Sequence, residues 1–170
     1  MVEGILSYSL INNETEKITC SLFNLLQEAK NNLELSMQQS GAVVKTDVLP
    51  AIEGYPLQLE RLFQNLLSNS IKFAKPGAQP IINITHTIQH DSSGDEWLVI
   101  DYKDNGIGFS NEYSESIFNV FERLHSRQDY EGTGVGLATC RKILAAHGGT
   151  IVAEGQPGKG SRFIITFPLA

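Results

Sequence analysis

The sequence predicts an α+β two-layer sandwich, in which a mixed and mostly antiparallel sheet carries helices on one face. Apolar residues recur at helical spacing in three long segments, while shorter segments rich in β-branched residues alternate between apolar and polar. Neighbouring strands are joined by short polar turns, so we expect them to pair antiparallel. The 170 residues, 41% of them hydrophobic, are enough for one domain with a buried core.

The predicted elements follow one another as helix, strand, helix, two strands, short helix, helix and two strands. Helices are predicted at residues 20–39, 56–74, 112–120 and 135–147. Strands are predicted at residues 43–49, 81–88, 97–102, 150–153 and 162–167. Gly41 and the pair Gly148-Gly149 are expected to end helices, because glycine adopts the left-handed conformation at low cost. Residues 50–56 are expected to form a connector.

Composition narrows the classes of function. The net charge is −6 and the basic residues are scattered, which argues against nucleic acid as the main partner. No apolar run approaches the roughly 20 residues that a membrane helix needs, and no basic signal-peptide start is present. We therefore expect a cytoplasmic domain without membrane contact of its own. Cys20 and Cys140 lie in helix-like segments and are expected to be buried thiols.

The helix at 56–74 separates into two faces. Its predicted core face consists of Leu59, Leu62, Phe63, Leu66, Leu67, Ser70, Phe73 and Ala74. Away from that face, Asn65, Asn69 and Lys72 follow one another at i, i+4 and i+7 and form one stripe. An amide oxygen suits Mg²⁺, and a lysine one turn away supplies charge for phosphate oxygens. A solvated face that carries amides explains this helix equally well.

The segment Asp104-Asn105-Gly106-Ile107-Gly108 follows a predicted strand. An ordinary Asn-Gly turn is the simplest interpretation. The alternative is that Gly106 and Gly108 let the backbone approach a flat ligand while Asp104 accepts a hydrogen bond from the 6-amino group of adenine. Guanine presents an acceptor at that position, and such an unmatched pair would cost about 1–3 kcal/mol.

A second glycine-rich segment, residues 132–137, leads into the helix predicted at 135–147. It resembles a dinucleotide-binding fingerprint, but no strand precedes it, and no Lys-Ser or Lys-Thr pair follows as in a P-loop. What remains is a glycine-hinged loop at a helix N-terminus, which offers amides to phosphates. The stretch before it contains Arg123, His125 and Arg127 and is expected to close over a triphosphate as a mobile lid.

Four motifs in this order resemble the catalytic, ATP-binding domain of sensor histidine kinases. Residues 62–73 resemble its N box, 104–108 its first glycine box, 117–123 its F box and 132–137 its second glycine box. The resemblance covers residues 20–170, and the stretch from 121 to 134 is similar to the phytochrome-like branch. It implies a Bergerat-type fold that binds ATP and Mg²⁺ between the N-box helix and the lid.

The resemblance also implies roles for individual residues. The cofactor-binding positions would be Asn65, Asn69, Lys72, Asp104, Gly106, Gly108, Phe118, Phe121, Gly132, Thr133, Gly134, Gly136 and Leu137. Of these, Asn69 would bind the metal, Asp104 would bind adenine, and Phe118 and Phe121 would anchor the base of the lid. The catalytic residues would be Asn65, Lys72 and Arg123.

Asn65 indicates the type of chemistry. In gyrase-, MutL- and HSP90-like relatives a glutamate occupies this place and activates water, whereas an amide cannot take a proton at neutral pH. Slow hydrolysis and phosphoryl transfer to a histidine are therefore implied. The alternatives are an ATP-driven conformational clamp of the gyrase/HSP90 type and a nucleotide-binding module without kinase activity.

The resemblance divides the chain and names its partners. Residues 1–13 look like the tail of a dimerisation and phosphoacceptor helix with its linker, and residues 14–170 like the catalytic domain. His86, His90, His125 and His147 do not fit the phosphoacceptor motif. The acceptor is therefore expected in the dimerisation domain of the same protein, with a response regulator receiver domain downstream, and the chain by itself is expected to be inactive.

Overall fold

The computed structural model of the chain describes residues 16–122 and 132–169. Its helices are α1 (Leu22–Asn32), α2 (Glu34–Ser40), α3 (Pro56–Lys72) and α4 (Gly136–Ala146). Its strands are β1 (Ile18–Ser21), β2 (Val43–Thr46), β3 (Ala51–Gly54), β4 (Ile81–His90), β5 (Glu96–Asp104), β6 (Thr150–Gln156) and β7 (Gly160–Leu169). Two single 3₁₀ turns lie at Asn111–Tyr113 and Ser116–Phe118.

Five strands form the main sheet, in the order β2-β4-β5-β7-β6. β2 runs parallel to β4, and every other neighbouring pair in this sheet is antiparallel. The predicted α+β class with a mixed, mostly antiparallel sheet is confirmed. β1 and β3 pair separately as a small antiparallel sheet.

The core lies between one face of the main sheet and the helices. On β5, the side chains of Leu98, Ile100 and Tyr102 point inward and are fully buried, while the residues between them are partly or fully exposed. Helix α3 contributes the predicted residues from Leu59 to Ser70, which are buried as expected. Phe73 and Ala74 differ from the prediction, because α3 ends at Lys72 and both residues are only half-buried.

The predicted helix at 20–39 is instead a strand and two helices. Ser21 ends β1 and caps α1, since its hydroxyl accepts from the amide of Asn24. Leu33 interrupts the helix with φ −107° and ψ 13°, and α2 then continues to Gly41, which has φ 67°. No residue of α2 is buried, so its apolar spacing contributes little packing. Cys20 therefore lies in a strand and not in the predicted helix. Like Cys140, it is a buried thiol, as expected.

Two further segments differ from the sequence prediction. The expected connector at 50–56 contains β3, whose four residues are too few to show a clear alternation. The expected helix at 112–120 is two separate 3₁₀ turns. None of the helices in the described ranges is both long and apolar enough to cross a membrane.

Candidate functional site

A cavity of about 320 Å³ lies between the C-terminal half of α3, the end of β5 and the start of α4. Its walls come from each of the four motifs that the sequence singled out, together with β7. The lining residues are Asn65, Ser68, Asn69, Lys72, Phe73, Asp104, Ile107, Gly108, Phe109, Ile117, Glu122, Gly132, Thr133, Gly134, Gly136, Leu137, Ser161 and Phe163.

Most of the predicted site residues meet at this cavity. The structure brings together Asn65, Asn69, Lys72, Asp104, Gly108, Gly132, Thr133, Gly134, Gly136 and Leu137. Gly106, Phe118 and Phe121 are not among the lining residues. Arg123 lies outside the described residues, as do most of the residues predicted to form the lid.

Asp104 lines the cavity and is held by three neutral donors. Its Oδ1 accepts from the amides of Gly106 and Ser161 at 2.9 and 3.1 Å. Its Oδ2 accepts from the hydroxyl of Ser70 at 3.0 Å. Burial raises the pKa of Asp104 above its ordinary value, although these three hydrogen bonds act in the opposite direction. The carboxylate is thus oriented without a cationic partner among the groups that hold it.

The glycines beside Asp104 are required mainly by the protein backbone. A Cβ on Gly106 would lie 2.6 Å from the carbonyl oxygen of Phe73. Gly108 has φ +67°, and a Cβ there would lie 2.0 Å from the carbonyl oxygen of Gln156. The sequence interpretation attributed these glycines to a close approach of ligand, whereas the structure shows the end of α3 and the β6–β7 turn in that space.

Other groups in the cavity wall are suited to anions. Helix α4 starts at the cavity, and its N-cap residue Val135 makes no side-chain capping hydrogen bond. The first amides of a helix lack internal partners and carry partial positive charge, so they favour phosphate groups. Lys72 approaches the same place, since a Cβ on Gly132 would lie 2.8 Å from its Nζ. The ammonium also lies 4.4 Å from the ring centroid of Phe73.

Asn65 and Asn69 line the cavity from one face of α3. The Nδ2 of Asn65 donates to the carbonyl oxygen of Gly136 at 3.3 Å and so ties α3 to the first turn of α4. No such contact of the Asn69 side chain occurs with the described residues, and its amide oxygen is a neutral, hard donor. This donor fits a Mg²⁺ ion that takes most of its ligands from phosphates and water. Within the described ranges, no cluster of three His, Cys, Asp or Glu side chains forms a separate metal site.

Phe118 and Phe121 lie beside the cavity. Phe118 is buried, and the guanidinium of Arg141 lies 4.2 Å from its ring centroid. Phe121 is exposed and has φ 66°, a conformation that costs a residue with a Cβ roughly 1–2 kcal/mol. Its amide donates to the carbonyl oxygen of Gly134 at 2.9 Å. This bond joins the two ends of the stretch that contains Arg123.

Sequence reasoning missed the contribution of β7 and the second role of Ser70 on α3. Ser161 and Phe163 line the cavity, and the amide of Ser161 holds Asp104. The pair Gly160-Ser161 after the β6–β7 turn was the available signal. Ser70 was assigned to the core face and is indeed buried, but its hydroxyl also contacts Asp104.

The described histidines lie away from this cavity. His147 is buried; its Nε2 accepts from the amide of Tyr55 at 3.0 Å, and its Nδ1 lies 2.7 Å from the carbonyl oxygen of Ile143. His86 and His90 lie on β4, near Asp47 and Glu96 respectively. His147 therefore has a structural role, in joining the start of α3 to the end of α4.

Comparison with known proteins agrees with this geometry. Residues 54–170 match the family described as histidine kinase-, DNA gyrase B- and HSP90-like ATPase. The chain is 36% identical to the phytochrome-like protein Cph1 of Synechocystis over 99% of its own length and 22% of that protein. It is 29% identical to the sensor histidine kinase RcsC of Escherichia coli, over 99% of the chain and 18% of that protein. The chain thus spans about a fifth of the length of these relatives.

A solved structure shows the same fold. The nucleotide-free catalytic domain of the histidine kinase ThkA superposes with a TM-score of 0.72 at 25% identity, covering 91% of this chain and 96% of that one. The chain therefore belongs to the histidine kinase-, DNA gyrase B- and HSP90-like ATPase family and is homologous to phytochrome-like proteins and sensor histidine kinases.

Proposed function

We propose that this domain binds ATP with Mg²⁺ and transfers the γ-phosphoryl group to a histidine on a dimerisation domain, as the catalytic part of a two-component sensor kinase. The observation that carries the proposal is that two unlike sets of groups line one cavity. One is Asp104, a carboxylate that only accepts hydrogen bonds when ionised. The other is Lys72 together with the start of α4, whose N-cap residue makes no side-chain capping bond. A purine amino group suits the first, and a triphosphate suits the second.

The choice of transfer over hydrolysis rests on Asn65. Its amide cannot act as a general base, and its Nδ2 is already bonded to Gly136. Asn69 and the phosphates would hold Mg²⁺, which supplies charge neutralisation on the phosphoryl oxygens when it is bound. Lys72 would orient the phosphate chain, and Arg123 is proposed to assist it when the lid closes.

The acceptor histidine is proposed to lie outside residues 16–122 and 132–169. The buried ring of His147 is engaged at both nitrogens, so it is not accessible to a γ-phosphate. The partners would be the dimerisation and phosphoacceptor domain of the same protein and, downstream, the receiver domain of a response regulator. This pathway would place the domain in the cytoplasm.

Nucleotide binding is the first test. A ligand that binds only the folded state stabilises it by about 2.7 kcal/mol when present at 100 times its Kd. We expect ATP and ADP with Mg²⁺ to raise the thermal unfolding midpoint clearly, and GTP to raise it much less. If neither adenine nucleotide shifts the midpoint, the proposed function is wrong.

The metal role of Asn69 has its own test. Asn69→Ala should remove the part of the ATP affinity that depends on Mg²⁺, while binding in the presence of a chelator stays the same. Asn83→Ala, on the exposed side of β4, is the matched control and should change neither value. Equal loss with and without Mg²⁺ in Asn69→Ala would show that this amide does not hold the metal.

Phosphotransfer separates the kinase from the clamp. The domain should phosphorylate an added dimerisation domain from a phytochrome-like relative faster than it releases phosphate. Rapid phosphate release with no transfer would instead favour the gyrase/HSP90-type clamp. Binding without transfer or release would favour a nucleotide-binding module.

A further inference from the structure

A buried chain of polar groups lies directly behind Asp104. The Tyr102 hydroxyl lies 2.9 Å from the Ser70 hydroxyl, which in turn lies 3.0 Å from Oδ2 of Asp104. Tyr102 is fully buried and Ser70 is 3% exposed, so bulk water does not compete for these groups. The ring of Phe163 packs edge-on against Tyr102, with centroids 6.1 Å apart, and fixes the tyrosine beneath the cavity.

The chemistry of the three groups sets the direction of this chain. An ionised carboxylate has no proton to donate, so Ser70 donates to Asp104. A serine hydroxyl has one proton, and Ser70 therefore accepts from Tyr102. Burial raises the pKa of Tyr102 well above its ordinary value, which keeps the phenol protonated and able to donate. The protons thus point in order from Tyr102 to Ser70 to Asp104.

This order determines what Asp104 presents to the cavity. A carboxylate has about four acceptor positions, two on each oxygen. The amides of Gly106 and Ser161 occupy both positions on Oδ1, and Ser70 occupies one on Oδ2. Among the described residues, none takes the remaining acceptor position on Oδ2, and Asp104 lines the cavity. Asp104 therefore offers one acceptor position to a ligand.

We propose that Ser70 and Tyr102 are positioning residues that hold Asp104 as an ionised, acceptor-only group and thereby select 6-amino purines over 6-oxo purines. The proposal rests on the proposed function, because it assumes that a purine nucleotide binds next to Asp104. A protonated Asp104 could donate to a 6-oxo group, so selectivity depends on keeping the proton off this carboxylate. Ser70 does this by donating to it, and Tyr102 does it by keeping Ser70 turned towards Asp104.

The same contacts set the pH dependence of binding. Burial raises the pKa of Asp104, and the Ser70 hydrogen bond is one of the contacts that counteract this rise. Removing the Ser70 hydroxyl should raise the pKa further, so ATP affinity should begin to fall at a higher pH. Within residues 16–122 and 132–169, the other ionisable groups nearby are Lys72 on α3, Glu122 in the cavity wall and Cys140 on α4. Burial raises the pKa of Cys140 to about 12, and Lys72 and Glu122 are the same in every variant, so the comparison isolates Asp104.

The test compares Ser70→Ala and Tyr102→Phe with the unaltered chain. Affinities for ATP and inosine triphosphate are measured by calorimetry between pH 5 and 8, with thermal unfolding of each variant. We expect the preference for ATP over inosine triphosphate to fall about 5–10-fold in Ser70→Ala and less in Tyr102→Phe, as the loss of one hydrogen bond predicts. The pH at which ATP affinity is halved should rise in the same order.

Two variants keep the result interpretable. Tyr55→Phe removes a hydroxyl at the start of α3, about 20 Å along the helix from Ser70, and should change neither the preference nor the pH midpoint. The double variant Ser70→Ala/Tyr102→Phe leaves no buried hydroxyl without a partner, so it should fold even if Ser70→Ala is unstable. It should show the same loss of preference as Ser70→Ala.

The outcomes distinguish the two proposals. If the unaltered chain binds neither ATP nor inosine triphosphate, the proposed function fails and this inference fails with it. If the unaltered chain prefers ATP, and the double variant keeps the same preference and the same pH midpoint, the positioning role alone is wrong.

Discussion

Two aspartates on β5 face opposite sides of the main sheet and are held in different ways. Asp104 lines the cavity, and the donors it receives from the part of the chain that the structure describes are neutral, two amides and a hydroxyl. Asp101 lies on the outer face, where Arg162 binds both of its oxygens at 2.9 and 3.0 Å and Lys103 approaches to 2.8 Å. The charge of Asp101 is thus compensated within the protein, and the charge of Asp104 is left for a ligand.

The pKa values of the two carboxyls shift in opposite directions. Burial raises the pKa of Asp104. Partial burial acts the same way on Asp101, but Arg162 and Lys103 outweigh it and lower its pKa below the ordinary 3.8. A carboxyl whose pKa is raised destabilises the folded protein when it ionises. Groups with such shifted pKa values are common in the cavities of functional sites. The comparison therefore supports a binding role for Asp104 and a structural role for Asp101.

The largest expected effect comes from Asp104. Asp104→Asn should weaken ATP and ADP binding about 100-fold, because the amide presents a donor to the adenine amino group. The unfolding midpoint without nucleotide should stay the same or rise, since the variant removes a charge that burial disfavours. Asp101→Asn, the matched control, should leave the affinity unchanged. Unchanged ATP affinity in Asp104→Asn, measured by calorimetry, would remove the adenine role.

The backbone that supports Asp104 gives the next largest effect. Gly160 has φ +129°, and a Cβ there would lie 1.9 Å from the carbonyl oxygen of Asp104. Gly160→Ala should lower the free energy of unfolding by about 2 kcal/mol or more and also weaken nucleotide binding. Gly158→Ala, in the same turn with φ +75° and open space around it, should cost only about 1 kcal/mol. Similar losses in denaturant unfolding of the two variants would contradict the close packing.

The groups proposed to hold the phosphates should respond differently from Asp104. Lys72→Met should weaken ATP about tenfold while adenosine binding stays the same, because the ammonium acts only on phosphates. Lys45→Met, at an exposed site on β2, controls for the lost charge. If adenosine binding falls as much as ATP binding, the effect of Lys72 is not limited to the phosphates.

The smallest effect is the pH dependence of stability. The pKa of Asp101 is lower in the folded protein than the ordinary 3.8. Its ionised form therefore stabilises the protein at pH values above the unfolded-state pKa. This stability is lost as the pH falls through the folded-state pKa, below 3.8. The raised pKa of Asp104 has the opposite sign, since its ionisation destabilises the nucleotide-free protein as the pH rises through the folded value. Asp101→Asn should reduce stability by about 1 kcal/mol or less near pH 7, and the reduction should be smaller at high salt. Chemical unfolding at pH 3 and 7 measures the difference, and an equal loss at both would contradict it.

The parts that the sequence predicted well are those with a strong local signal. The amphipathic period of α3 indicated both its buried face and the stripe that contains Asn65, Asn69 and Lys72. The sequence also predicted Gly136 at the start of α4 and Asp104 at the end of β5 as candidate site residues. These features depend on spacing within one element, which a single sequence displays directly.

The features that the sequence did not predict depend on contacts between distant segments. β1 and β3 are four residues each and exist because they pair with one another. Ser70 looked like an ordinary small core residue, because its partner Tyr102 lies on another element. The glycines at 106 and 108 were explained by a ligand, since the backbone that occupies their space comes from α3 and the β6–β7 turn.

The hydrogen bonds to Asp104 also bear on the order of events in folding. Ser70 precedes it by 34 residues and Ser161 follows it by 57, so its surroundings form only after long stretches of chain have closed. Contacts of such separation tend to form slowly. We expect the carboxylate to acquire its final partners only once β7 has docked beside β5. A nucleotide that recognises Asp104 would then slow unfolding and leave the refolding rate almost unchanged.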